Sequence, residues 1–116
     1  MPSGDNTRVW FPAMLDKLKS RWNESMSWQE YSELCKEMTD YRNQIRKAKG
    51  IKPVIKWCHN CKDYHEMQPV PISIRSLLFA LKKIKVIEEK KFKELEKEWK
   101  RYSRVNKLDA YGKPKS

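Results

Sequence analysis

Glycine is scarce, with three residues in a chain of 116, and no two of them lie close together. The glycine-rich loops by which nucleotide-binding enzymes cradle phosphates are therefore missing. Histidine is scarcer still, with two. Neither His59 nor His65 stands in an order with serine and aspartate that suggests a catalytic triad. The longest apolar run is Leu77-Leu78-Phe79-Ala80-Leu81, far short of the roughly 20 residues that a membrane-spanning helix needs. The first residues show no basic stretch followed by an apolar one, so no signal peptide is expected. Three cysteines do not make an even disulfide framework. That points to a reducing cytoplasm, where a close cysteine pair reads as metal or redox chemistry.

What is present is charge and aromatic surface. Charged residues make up 35% of the chain, and five Trp and five Tyr supply large surfaces to bury, which a disordered chain seldom carries. The net charge of +11 is uneven. Residues 1–40 carry five basic and seven acidic residues, 41–81 carry eight and two, and 82–116 carry thirteen and six. A basic C-terminal two-thirds suits an anionic partner, nucleic acid being the commonest, or else is simply a solvated lysine-rich surface.

Helical periodicity organises both ends of the chain. Phe11, Met14, Leu15, Leu18 and Trp22 predict a first helix over about 10–23, with Pro12 near its start. Ser27-Trp28-Gln29-Glu30 is a capping box. The helix it opens has Tyr31, Leu34, Cys35, Met38, Tyr41 and Ile45 on its apolar face and should stop at Gly50. Ser73 caps a third helix through Ile74, Leu77, Leu78, Leu81 and Ile84. A fourth spans about 88–104, with Phe92, Leu95, Trp99 and Tyr102 on one side. Its lysines alternate with acids, and Glu89–Lys93 and Glu96–Lys100 read as i,i+4 pairs on a solvated face. The expected architecture is mostly α: a helical hairpin over 1–50, a knuckle-like β-hairpin over 51–71, a second helical hairpin over 72–104, and a flexible basic tail over 105–116.

The knuckle carries the chemistry. Val54-Ile55-Lys56-Trp57 and Tyr64-His65-Glu66-Met67 are strand-like and flank a C-x2-C pair, while Pro69 and Pro71 bar a helix after them. Two thiolates at this spacing hold one zinc while a tight turn aims backbone N–H groups at the sulfurs. Cys58 and Cys61 supply two ligands, and His65 closes a third position across the hairpin. Cys35 either completes a Cys3His site or is a small buried residue on an apolar helix face, the commoner fate of a free cysteine. Water or a second chain could otherwise fill the fourth position.

In general form the hairpin resembles the knuckle of zinc-ribbon proteins. Trp57-Cys58-His59-Asn60-Cys61-Lys62 also resembles the W-C-x-x-C-K signature of the thioredoxin family over six residues. That resemblance implies a nucleophilic Cys58 and a resolving Cys61. The family's motif follows a buried strand and opens a long helix, whereas here prolines follow within ten residues.

Between Asp40 and Asp63 no acid occurs, and Arg42, Arg46, Lys47, Lys49, Lys52 and Lys56 lead into the knuckle. On nucleic acid these would contact phosphates, and Trp57, His59 and Tyr64 could stack on unpaired bases or simply pack the hairpin. The reading is a small basic zinc-binding module, not an enzyme, that binds nucleic acid. The alternatives are a protein-interaction adaptor with a structural zinc and, further off, a small thiol oxidoreductase.

Overall fold

The computed structural model describes residues 10–53, 55–66 and 70–115. Val54, Met67 and Pro69, which the sequence places in or beside the strands, lie outside the described residues, as does the segment 1–9.

Four helices and one two-stranded antiparallel hairpin make up the fold: α1 (Pro12–Arg21), α2 (Trp28–Ala48), β1 (Ile55–Cys58), β2 (Asp63–Glu66), α3 (Ile74–Lys83) and α4 (Glu89–Val105). The signals that start them are those in the sequence. Pro12 opens α1, where its missing N–H costs nothing. At α2 the Ser27 side chain accepts from Glu30 N while the Glu30 side chain accepts from Ser27 N, so two orphan donors are satisfied at once. Ser73 caps α3 by accepting from Ser76 N.

The two helical hairpins share one core. Met14 and Leu18 of α1, Leu34 and Met38 of α2, Leu77, Leu78 and Leu81 of α3, and Leu95 and Trp99 of α4 form a single buried cluster. Trp22 Nε1 donates to the Tyr31 hydroxyl at 2.9 Å and ties the end of α1 to α2. Among the described residues, no helix is long and apolar enough to cross a membrane.

The ends of α2, α3 and α4 follow one pattern with two different residues, whereas α1 ends on Trp22 in extended conformation. Past α2, Gly50 takes φ +68°, Gly50 N donates to Lys47 O and Ile51 N to Arg46 O. That is a Schellman closure on glycine. Lysine does the same work after α3 and α4: Lys85 (φ +62°) and Lys107 (φ +53°) stand in the left-handed region. Val86 N donates to Leu81 O and Leu108 N to Ser103 O. Each lysine adopts a conformation disfavoured for a residue with a Cβ by roughly 1 kcal/mol.

The segment after α4, expected as a tail, folds back. Asp109 Oδ1 accepts from both Tyr111 N and Lys113 N at 2.9 Å, and Leu108 bridges Pro114. Ser32 Oγ then donates to Tyr111 O at 2.6 Å, and Ile74 N, an orphan donor at the start of α3, donates to Ala110 O at 3.0 Å. Gly112 (φ +81°) makes this approach possible, since a Cβ there would lie 2.8 Å from Ser32 Cβ. At Gly50 (φ +68°) a Cβ would meet nothing within 4 Å. Gly50→Ala therefore carries only the conformational cost, about 1 kcal/mol, and Gly112→Ala adds overpacking of roughly 1–3 kcal/mol. Urea unfolding of the two variants should show the larger loss at Gly112; equal losses would mean that the C-terminal segment does not pack as described.

Candidate metal centre

The hairpin pairs Ile55 with Glu66, Lys56 with His65, Trp57 with Tyr64 and Cys58 with Asp63. Side chains alternate across a strand and paired residues share a face. Cys58, Lys56 and His65 therefore lie on one face, and Ile55, Trp57 and Tyr64 on the other. The turn between the strands closes with Lys62 N donating to Cys58 O at 2.8 Å, and Lys62 itself takes φ +55°. That tight return carries Cys61 back towards Cys58.

The result is one cluster. A sulfur from each of Cys58 and Cys61 and a ring nitrogen of His65 all lie within 4.8 Å of one another, and the three could hold a metal ion. A tetrahedral ion with metal–sulfur bonds of about 2.3 Å needs ligand atoms about 3.8 Å apart, so the cluster closes with small side-chain shifts. Backbone donors in the turn favour the thiolate form of Cys58. Its thiol is held below the usual cysteine range, first by the Cys61 N–H, then by the Asn60 N–H, with the Cys61 thiol adding to both. Thiolate is the form that ligates metal.

The other candidate residues fall elsewhere. Cys35 is 2% exposed within the helical core, burial pushes its thiol up to about 12, and it is not part of the cluster. A position for it as fourth ligand is not what the fold builds. His59 is exposed in the turn and also stands outside the cluster. Arg42 is fully buried, and its Nη2 donates to Val70 O at 2.7 Å. Burial, with Arg46 nearby, pulls its guanidinium below the usual range. Arg42 thus clamps the limb leaving the hairpin onto α2, and Thr39 assists by accepting from Ile72 N at 2.9 Å. It is not at the surface to meet a phosphate. The signal was present: position 42 continues the face of Tyr31, Leu34, Cys35 and Met38 at helical spacing. Of the remaining basic block, Arg46 is half-buried, while Lys47, Lys49, Lys52 and Lys56 are exposed. Lys49 Nζ lies 5.5 Å over the Phe11 ring.

The opposite face holds what the sequence left undecided. Trp57 and Tyr64 meet edge-on with centroids 5.1 Å apart, yet they stay 46% and 64% exposed, and Ile55 beside them is 61% exposed. The thioredoxin-like signature lacks its context, because Cys61 leads into β2 and not into a helix.

The three thiols separate by accessibility. In chelator-treated but folded protein, Cys58 and Cys61 should alkylate promptly at neutral pH while Cys35 stays protected until unfolding, as mass spectrometry of the peptides would show. Rapid modification of Cys35 would contradict its burial. Compared with protein-family models, with curated proteins and with solved structures, the chain finds no match, so what it does is read from these residues alone.

Proposed function

We propose that the protein is a zinc-braced binding module whose hairpin presents an aromatic pair to the unpaired bases of a nucleic acid strand. The observation that carries this is the division of the hairpin into two faces. The Cys58–Cys61–His65 cluster sits on one, and the exposed, edge-packed Trp57 and Tyr64 on the other. Two thiolates and an imidazole are a donor set that suits zinc. Zinc would fix the turn and so hold the aromatic rings in one orientation. The fourth position is left to water or to a ligand from outside the chain.

Stacking on bases tolerates any sequence, because every base has a π-face. Lys52, exposed at the hairpin's entry, and Lys62 in its turn would meet phosphates beside the stacked bases, whereas Lys56 shares the face of the metal cluster. The reading is of a non-enzymatic protein. One observation favours a second reading: Ile55 adds apolar surface that base stacking does not require, as a protein-binding adaptor would.

Salt separates the two. Binding of mixed-sequence single-stranded DNA or RNA, followed by fluorescence anisotropy, should weaken steeply as salt rises. Trp57→Ala and Tyr64→Ala should each cost about 1–3 kcal/mol of binding. Purified protein should carry one zinc per chain, lost in Cys58→Ser, Cys61→Ser and His65→Ala but retained in Cys35→Ser. No binding at low salt, or affinity indifferent to both aromatic substitutions, would refute the nucleic-acid reading.

A further inference from the structure

The folded C-terminal segment creates a second feature that no stretch of sequence shows by itself. Lys100, Arg104, Lys107 and Lys115 line one open concavity of about 560 Å³, together with Ser103 and Leu108, and no acid is among its described lining residues. Lys100 and Arg104 come from the last turns of α4. Lys107 is the left-handed residue that closes the helix, and Lys115 is carried in by its own N–H donating to Lys107 O at 2.9 Å. An adjoining concavity of about 430 Å³ shares Lys100 and Ser103 and adds Lys93, Lys97 and Arg75, with Glu96 the one acid among its described lining residues. Positions 93, 97, 100 and 104 fall on one face of the helix, so the cations extend along α4 from the first concavity, past Glu96, which is paired with Arg75.

Two ordinary explanations do not account for the whole of this track of cations. The helix dipole favours cations at a C-terminus, which accounts for Arg104 in the last turn of α4 but not for Lys115, and backbone and amide donors already satisfy the last carbonyls. Tyr102 O accepts from Asn106 N and Nδ2, Ser103 O from Leu108 N, and Arg104 O from Lys107 N. Nor do acids on the same helix neutralise the lysines. The i,i+4 pairs Glu89–Lys93 and Glu96–Lys100 expected from the sequence are not among the ion pairs of the described residues, and Glu96 instead takes Arg75, Nη2 to Oε2 at 3.0 Å. Asp109, the acid nearest in sequence, accepts from the backbone of Tyr111 and Lys113. Like charges around one concavity focus a positive potential, and nothing in the wall offsets it.

We infer that this concavity is a binding site for phosphate groups, either those of a nucleic acid backbone or those of a free polyphosphate. It is built from α4 and the segment after it, shares no residue with the hairpin, and stands whether or not the hairpin binds bases. Lysine ammoniums serve as point charges here and Arg104 as a planar fork for two phosphate oxygens.

The test uses the full chain, labelled with nitrogen-15, and titrates it with pyrophosphate. Saturable shifts should concentrate at the amides of Arg104, Lys107 and Lys115. The triple variant Arg104→Gln, Lys107→Gln, Lys115→Gln should bind at least about tenfold more weakly, given the loss of charge-assisted contacts. A Lys90→Gln, Lys91→Gln control on the same helix should bind as the parent does, and thermal melts would verify that both variants fold. A single-stranded oligonucleotide then identifies the phosphate source: if the track carries backbone, the salt slope should fall by about 0.7 for each contact removed. Pyrophosphate binding without that change assigns the site to free polyphosphate. Shifts spread evenly over all lysine-bearing segments, or equal weakening in the control, would overturn the site. Neither outcome bears on Trp57 and Tyr64, whose substitutions test the hairpin separately.

Discussion

The apolar burial of this chain is concentrated in one helical core, and the hairpin receives none of it. Every described strand residue except the half-buried Cys58 is exposed, and neither strand packs extensively on a helix. A two-stranded hairpin by itself is marginal in water. Cross-strand pairs contribute only about 0.2–1 kcal/mol each, and Trp57–Tyr64 is the one aromatic pair here. Packing on the helical body does not hold it. The convergence of two thiols and an imidazole on one face is where its stabilisation can come from, because metal binding free energy is folding free energy in elements of this size.

The helical body's part is to hold the hairpin's two ends. On the entry side, the glycine closure of α2 turns the chain out of the helix. On the exit side, Arg42 and Thr39 draw the returning chain back onto α2. A buried arginine is costly unless paired, and its bond to Val70 O places that group where the chain must rejoin the core. The C-terminal segment does comparable work at the other end, joining Ser32 of α2 to the start of α3 through Tyr111 and Ala110. The same folding-back collects the cations at the end of α4. Both proposed binding surfaces thus belong to the non-helical chain that the helical body holds in place.

Much of this was legible in the sequence because its signals are local. Capping serines, the glycine stop at Gly50 and helical periodicity place all four helices, and the C-x2-C spacing with His65 names the cluster. What was not legible depends on contacts between distant residues or on rules with exceptions. Arg42 reads as one more cation in an acid-free block unless its place on the apolar face is weighed above its charge. Residues 105–116 look like a tail because Gly112 and Pro114 usually mark one. The described part, to Lys115, is ordered by Asp109, by the Leu108–Pro114 bridge and by bonds to Ser32 and Ile74, both distant in sequence. Lys85 and Lys107 end helices in a conformation for which glycine is the usual signal. Glu96 and Lys100 are correctly spaced to pair, but Arg75 on another helix takes the carboxylate, which no reading of one helix could foresee.

The central proposal is that metal holds the hairpin while the apolar core holds the helices. Amide spectra of the zinc-loaded full chain before and after a strong chelator test this most directly. Signals from residues 55–66 should collapse towards unstructured positions while those of Met38, Leu78 and Trp99 stay in place, and zinc should restore the first set. A hairpin unchanged by chelation, or a helical core that unfolds with it, would contradict the account.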